Sequence, residues 1–231
     1  VINLTRSTKD FNRGPWFGIH SFDRGSRFLV ENLLEELDQP GEWCLDSEDG
    51  ILYFWPPNPI ENAEVVLPNL NCLIDMHGTS WVTISGFTFT ETTDGDNFIR
   101  DGGEGSGAMF PVSEWRYCGD AMHLRETEFC SIEDNHFYAV GGNAIYFERY
   151  NLRSTIQRNE ISYSGANGIV FVGSKRWVTN EPGRLAQRGL GVPVSAQPHP
   201  MFNQVVDNHI HHNGTINRYA AGIFLGISDG N

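Results

Sequence analysis

Glu148 is the side chain in this sequence best placed to move a proton. It closes the run Ile145-Tyr146-Phe147-Glu148, where strand alternation turns Ile145 and Phe147 to one side and Tyr146 and Glu148 to the other. An outward carboxylate beside Tyr146, and near Arg125 of an equivalent segment, suits general acid or base chemistry. An ion pair of Glu148 with Arg125 or Arg149 is the competing, purely structural reading. A second carboxylate is needed for catalysis. Asp229 stands two repeat units further on, roughly 10 Å by strand stacking, while Asp120 and Glu126 are nearer but set to the side of the strand.

The other outward residues would serve as ligand contacts: His123 and Arg125 in Met122-His123-Leu124-Arg125, and Tyr146. Arg176 and Trp177 fall in a long insertion, residues 174 to 203, with Lys175, Arg184 and Arg188. Trp115 falls in another, residues 93 to 118. Both indoles offer flat apolar surfaces for stacking, or else pack their loops down. His209, His211 and His212 cluster with Asp207, a set capable of metal or base chemistry, but they lie by a turn away from the Glu148 face and read as solvated histidines. No metal centre is assigned, and no cofactor is required. Calcium stays open through Asp94, Asp96 and Asp101. Cys44, Cys72, Cys118 and Cys130 show no CxxC pair, so zinc-type cysteine sites are not expected. They are free thiols or, in an exported protein, one or two disulfides. Phosphate-loop, nucleophile-elbow and HExxH motifs are missing from the sequence.

The elements that would hold these residues repeat. Ile84 to Phe89, Ile132 to Phe137, Ile156 to Ile161 and Val205 to Ile210 each place two apolar residues five positions apart, and the last three carry Asn135, Asn159 and Asn208 at the intervening step. The separation is 24 residues from Ile132 to Ile156, 48 from Ile84 to Ile132 and 49 from Ile156 to Val205, so one period is about two dozen residues and insertions double the rest. Eight residues after Phe137 comes Ile145 in Asn-Ala-Ile-Tyr-Phe and eight after Ile161 comes Ile169 in Asn-Gly-Ile-Val-Phe, with related segments around Met122 and Ile223. A unit of three short strands is too small to bury its own apolar face, so units must stack as parallel coils about 4.8 Å apart. The predicted fold is all-β, a right-handed parallel β-helix over residues 61 to 231, with the repeated Asn forming a ladder. Sandwich strands would have no reason to repeat this unit.

Residues 1 to 60 read as a small α+β flanking region that caps or borders the solenoid. Phe28 to Leu37 puts Leu29, Leu33 and Leu37 on one helical face, stopped by Asp38-Gln39-Pro40-Gly41. Glu42 to Asp46 and Ile51 to Trp55 form a hairpin across Glu48-Asp49-Gly50, ended by Pro56-Pro57. The net charge of −13 repels nucleic-acid backbones and anionic membranes, and no apolar run reaches the roughly 20 residues of a membrane span. Because the chain opens on Val1 and stops in the turn signal Asp229-Gly230-Asn231, it is expected to be a piece whose parent adds further C-terminal coils.

The run from Phe28 to Pro57, Phe-Leu-Val-Glu-Asn-Leu-Leu-Glu-Glu-Leu-Asp-Gln-Pro-Gly-Glu-Trp-Cys-Leu-Asp-Ser-Glu-Asp-Gly-Ile-Leu-Tyr-Phe-Trp-Pro-Pro, followed by these coils, resembles bacterial β-helix proteins similar to glycoside hydrolase family 141. The resemblance implies a protein that acts on a polysaccharide or oligosaccharide outside the cytoplasm, extracellular or periplasmic. It implies no numbered catalytic residue. Glycoside hydrolysis commonly uses two carboxylates about 5 to 5.5 Å apart for retention or roughly 6.5 to 9.5 Å for inversion, which is the role offered to Glu148 with Asp229 or Asp120. A carbohydrate-binding or structural β-helix, and a lyase using an Arg or Lys base with Ca²⁺, are the alternatives.

Overall fold

The computed structural model describes residues 32–93, 119–173, 199–217, 220–226 and 228–231. The chain divides into two compact units, Val1–Val65 and Val66–Asn231.

In the first unit, β1 (Trp43–Asp46) and β2 (Ile51–Phe54) pair antiparallel from Trp43 opposite Phe54 to Asp46 opposite Ile51. Asp46 Oδ1 accepts hydrogen bonds from the amides of Glu48 and Asp49, so the side chain itself shapes the turn. The helix expected over 28 to 37 does not form in the described residues. Leu34–Glu36 is a single 3-10 turn, Leu33 before it is extended, and residues 28 to 31 lie outside the described residues. Asn32 explains the break. It sits at φ 60°, and its amide spans both backbone groups of Leu45, accepting at 2.7 Å and donating at 3.0 Å. Local polar pairing of an Asn wins over the propensity of the leucines around it.

The second unit is a solenoid. Its first coil is β3 (Ile74–His77), β4 (Thr83–Ser85) and β5 (Thr88–Thr90). The second is β6 (Met122–Glu128), β7 (Ser131–Glu133) and β8 (His136–Tyr138), and the third is β9 (Ile145–Leu152), β10 (Thr155–Gln157) and β11 (Glu160–Ser162). The fourth is β12 (Ile169–Val172), β13 (Pro200–Met201), β14 (Gln204–Val206) and β15 (His209–His211), and β16 (Ile223–Gly226) begins a fifth. Strands stack in parallel as β3-β6-β9-β12-β16, β4-β7-β10-β14 and β5-β8-β11-β15, the right-handed β-helix architecture.

The sequence repeat is the stacking register. Ile84, Ile132, Ile156 and Val205 form one column, and Phe89, Phe137, Ile161 and Ile210 another. On the long sheet the inward columns are Ile74-Met122-Ile145-Ile169-Ile223 and Met76-Leu124-Phe147-Phe171-Leu225. Phe89 lies on Phe137 at 4.8 Å and Phe147 on Phe171 at 4.7 Å. Each such fully buried side chain stabilises the fold by about 1.5–3 kcal/mol. The core is dry in the middle coils and opens at the edge strand, where Ile223 and Leu225 are half exposed.

The corners are built by paired devices. Asp134, Arg158 and Asp207 all have φ between 52° and 56°, and each is followed by the ladder residue Asn135, Asn159 or Asn208. Asn159 Nδ2 donates to Ile132 O one coil back, while its Oδ1 accepts from Asn135 N. Asn208 repeats this on Asn159. A left-handed non-glycine residue costs roughly 1–2 kcal/mol, and the buried amide ladder offsets that strain at every turn. Two further ladders join the coils: Asn143 and Asn167, 24 residues apart, and Ser154, Asn203 and Asn231.

The expected insertion from 174 to 203 is shorter than proposed. Pro200 and Met201 already pair with Asn151 and Leu152, so the coil resumes there. Among the described residues no helix is long and apolar enough to cross a membrane.

Candidate active site

The outward columns of the long sheet are Asp75-His123-Tyr146-Val170-Phe224 and His77-Arg125-Glu148-Val172-Gly226. These point away from the core, as alternation predicts. They do not line an open groove, however. His123 is 2% exposed, Val170 is fully buried and Val172 nearly so. The apolar side chains Tyr146, Val170, Val172 and Phe224 form a second cluster on this face, because a column of apolar outward residues gains by leaving water. The polar residues are confined to the first three coils.

Within that polar half, His123 is the centre. Its Nε2 is 3.2 Å from Glu148 Oε2, and its Nδ1 is 3.9 Å from Asp75 Oδ1. Its ring stacks on Tyr146 at 5.2 Å. Exposure grades along the row, from His123 at 2% through Glu148 at 13% to Asp75 at 53% of the side chain. A buried imidazole thus joins a mostly buried carboxylate to a half-exposed one. One imidazole and its two contacts span the gap between the two carboxylates, an upper bound on the order of 9 Å that admits the separations used by glycosidase carboxylate pairs.

The backbone aims Glu148. Arg125 pairs with Glu148 and Thr127 with Asn151, so β9 carries one extra residue at Arg149-Tyr150, a β-bulge. Arg149 takes φ 58° there, and Asn151 Nδ2 donates back to Glu148 O at 2.9 Å. Tyr150 Oη donates to Glu128 Oε1, pinning the bulge from the other strand. Bulges re-aim side chains next to sites of chemistry, and this one follows Glu148 directly. Arg149 Nε lies 3.5 Å from Glu148 Oε1.

Electrostatics separate the acids. Burial pushes the Asp120 carboxyl up to about 6, against the opposing pull of His123 and of the Asn143 hydrogen bond, with Glu148 pushing further up. Burial also acts to raise Glu148, but the hydrogen bond and charge of His123, then the charges of Arg149 and Arg125, outweigh it and hold the carboxyl below its usual value. Glu148 is therefore the ionised group and Asp120 the reluctant one, the divergence expected where proton transfer is arranged. Burial, with Asp120 and Asp75 nearby, raises the Cys72 thiol to about 11, so Cys72 is no nucleophile near neutral pH.

Asp120 is itself 1% exposed. It accepts a 2.7 Å hydrogen bond from Asn143 Nδ2 and so ends the Asn143-Asn167 ladder, while its Oδ2 is buried with no hydrogen-bond partner. A group so placed cannot touch a polymer and acts through its neighbours. Asp229 does not join the site. It bridges Met201, which pairs with Leu152 at the far end of β9, and its neighbour is His199, which burial holds below its usual value against the Asp229 charge. Asp229 lies two coils from Glu148 along the stacking axis, but its column is that of Leu152, four residues further along β9 and beyond the bulge. Thus Glu148, His123, Arg125, Tyr146 and Asp120 come together and Asp229 does not. Arg176, Trp177, Trp115, Lys175, Arg184, Arg188, Cys118, Asp94, Asp96 and Asp101 lie outside the described residues.

Asp75 is the residue that sequence reasoning missed. Its signal was present: Ile74-Asp75-Met76-His77 carries the alternation of Met122-His123-Leu124-Arg125 48 residues earlier. His77 Nε2 meets Glu126 Oε2 at 3.1 Å on the rim. Among the described residues Cys44, Cys72 and Cys130 are free thiols.

No curated protein and no solved structure matches the chain. Residues 72–231 match the family model described as the right handed beta helix region, the stretch that holds every coil described above. Over that span, more than half of its length, the chain belongs to the right-handed β-helix family.

Proposed function

We propose that this chain is a polysaccharide-active β-helix protein that hydrolyses glycosidic bonds at the Asp75-His123-Glu148 row. The observation that carries the reading is the row itself: two carboxylates of unequal exposure held on either side of one buried imidazole. In this reading Glu148, kept ionised by His123, Arg149 and Arg125, is the base that activates water. Asp75, the most exposed member, is the partner that protonates the leaving oxygen. His123 and Asp120 position and polarise Glu148 without touching the polymer, Tyr146 backs the His123 ring, and Arg125 borders the sugar. The resemblance of residues 28 to 57 to glycoside hydrolase family 141 supports the substrate class and an extracellular or periplasmic setting as parts of this reading.

The test is a panel of plant and bacterial polysaccharides incubated with the full chain and read for new reducing ends and for unsaturated products. Hydrolysis gives reducing ends alone. Unsaturated ends would mean elimination and hence a lyase, and binding with neither product would mean a carbohydrate-binding β-helix.

A further inference from the structure

The sheet β5-β8-β11-β15 carries a second polar constellation, on a different sheet from Glu148. Histidines 209 and 211 stand two apart on β15, so both point to the same face. Glu160 lies directly opposite His209 on β11. One ligand-type atom from each of Glu160, His209 and His211 lies within 4.8 Å of the other two. His211 Nε2 is already 3.6 Å from Glu160 Oε1, and this nitrogen is shut off from solvent with no hydrogen-bond partner.

We propose that Glu160, His209 and His211 form a transition-metal site of the Zn²⁺ class. Zinc holds imidazole and carboxylate ligands at about 2.0–2.2 Å, which places tetrahedral ligand atoms roughly 3.4 Å apart. The His211-Glu160 pair meets that spacing, and the exposed side chains of Glu160 and His209 have room to close the rest. Two imidazoles with one carboxylate favour zinc, cobalt or nickel over calcium or magnesium, which seek oxygen ligands.

The surroundings orient the ligands. His211 Nδ1 is 2.6 Å from His212 Nδ1, so one donates and the other accepts. When His211 is the donor, its lone pair sits on Nε2, facing Glu160, as outer partners of metal-bound histidines commonly arrange. Tyr163 stacks on His212 at 5.0 Å and holds that partner in place. His209 and His211 rings lie 4.3 Å apart, adjacent without blocking each other. Three protein ligands leave a fourth position for water or a ligand. The sequence placed these histidines at a turn as solvated groups. The structure instead puts His209 and His211 on a strand, and that register is what converges them.

The experiment is calorimetric titration of ZnCl₂ into the full chain after chelator treatment. One equivalent should bind with a dissociation constant below about 10 μM. His209→Ala with His211→Ala should weaken it at least about 100-fold and Glu160→Gln about tenfold, while His77→Ala, on another sheet, leaves it unchanged. Co²⁺ loading should give visible d–d bands without thiolate charge-transfer absorption, which separates this site from the free cysteines. Single His209→Gln serves if the double variant does not fold, and should also weaken binding at least tenfold. Absence of binding, unchanged affinity in the His or Glu variants, or a thiolate spectrum would overturn the proposal.

Discussion

The outward face of the long sheet has two halves on one backbone. In the first three coils it presents Asp75, His77, His123, Arg125, Tyr146 and Glu148, and in the next two Val170, Val172, Phe224 and Gly226. The inward columns do not change across this boundary: Leu124, Phe147 and Phe171 are all fully buried. Coil stacking therefore needs only the inward residues, and the outward ones are free to differ. One half has used that freedom to seal itself with apolar contacts, the other to gather charges around a single histidine. A solenoid separates fold from site more cleanly than a globular core does, because alternate residues of the same strand serve the two purposes.

The largest expected effect comes from putting the chemistry of one half into the other. Val170 stands beside Tyr146 in the same column as His123 but has no polar partner, so Val170→Asp buries an unpaired charge. Chemical denaturation should show a loss of at least about 3–5 kcal/mol. A loss under about 1 kcal/mol would show that the apolar half is wetter than its packing indicates.

Asp120→Asn sharpens the comparison from the polar side. Asp120 keeps its proton to about pH 6 in the fold against 3.8 for the ordinary carboxyl. Between these values the folded state holds more protons than the unfolded one, so stability falls as pH rises from about 4 to 6 and stays lower above. Glu148 acts oppositely: its carboxyl is held low, so its contribution is present above its ordinary value of 4.5 and is lost on acidification. Asn at 120 can still accept from Asn143 and continue the ladder. The variant should be more stable by about 1–3 kcal/mol at pH 7.5 and lose the decline between pH 4 and 6, measured by urea unfolding across pH. A variant that keeps the wild-type decline would remove Asp120 as its source.

The smallest effect belongs to the rim. His77 and Glu126 meet at 3.1 Å with about half of each side chain in water, so His77→Ala should change stability by less than about 1 kcal/mol. A larger loss in the same unfolding assay would mean that the rim supports the row through Asp75.

The columns of the fold were readable in the sequence because apolar residues must recur at the stacking period: Ile132 and Ile156, 24 apart, are adjacent in the structure. The outward direction of His123, Arg125, Tyr146 and Glu148 followed from alternation alone. Burial of that face did not, since alternation says which way a side chain points and not what covers it. The Phe28 to Leu37 segment misled because leucine spacing carries no notice that the Asn32 amide would pair with Leu45. Asp229 misled for a different reason. Counting coils gives distance along the solenoid axis, while position across the strand depends on the bulge at Arg149-Tyr150, which the alternation of apolar residues does not announce. Asp75 was legible and overlooked, because 48 residues of sequence separate it from His123 although their strands are adjacent.

Glu148 is the residue on which the proposed chemistry depends most directly. With a glycan from the panel that yields reducing ends, the initial rate of Glu148→Gln, checked as folded by its melting curve, should fall by about 10²–10⁴-fold. A rate unchanged from the wild type would contradict the assignment of chemistry to the Asp75-His123-Glu148 row.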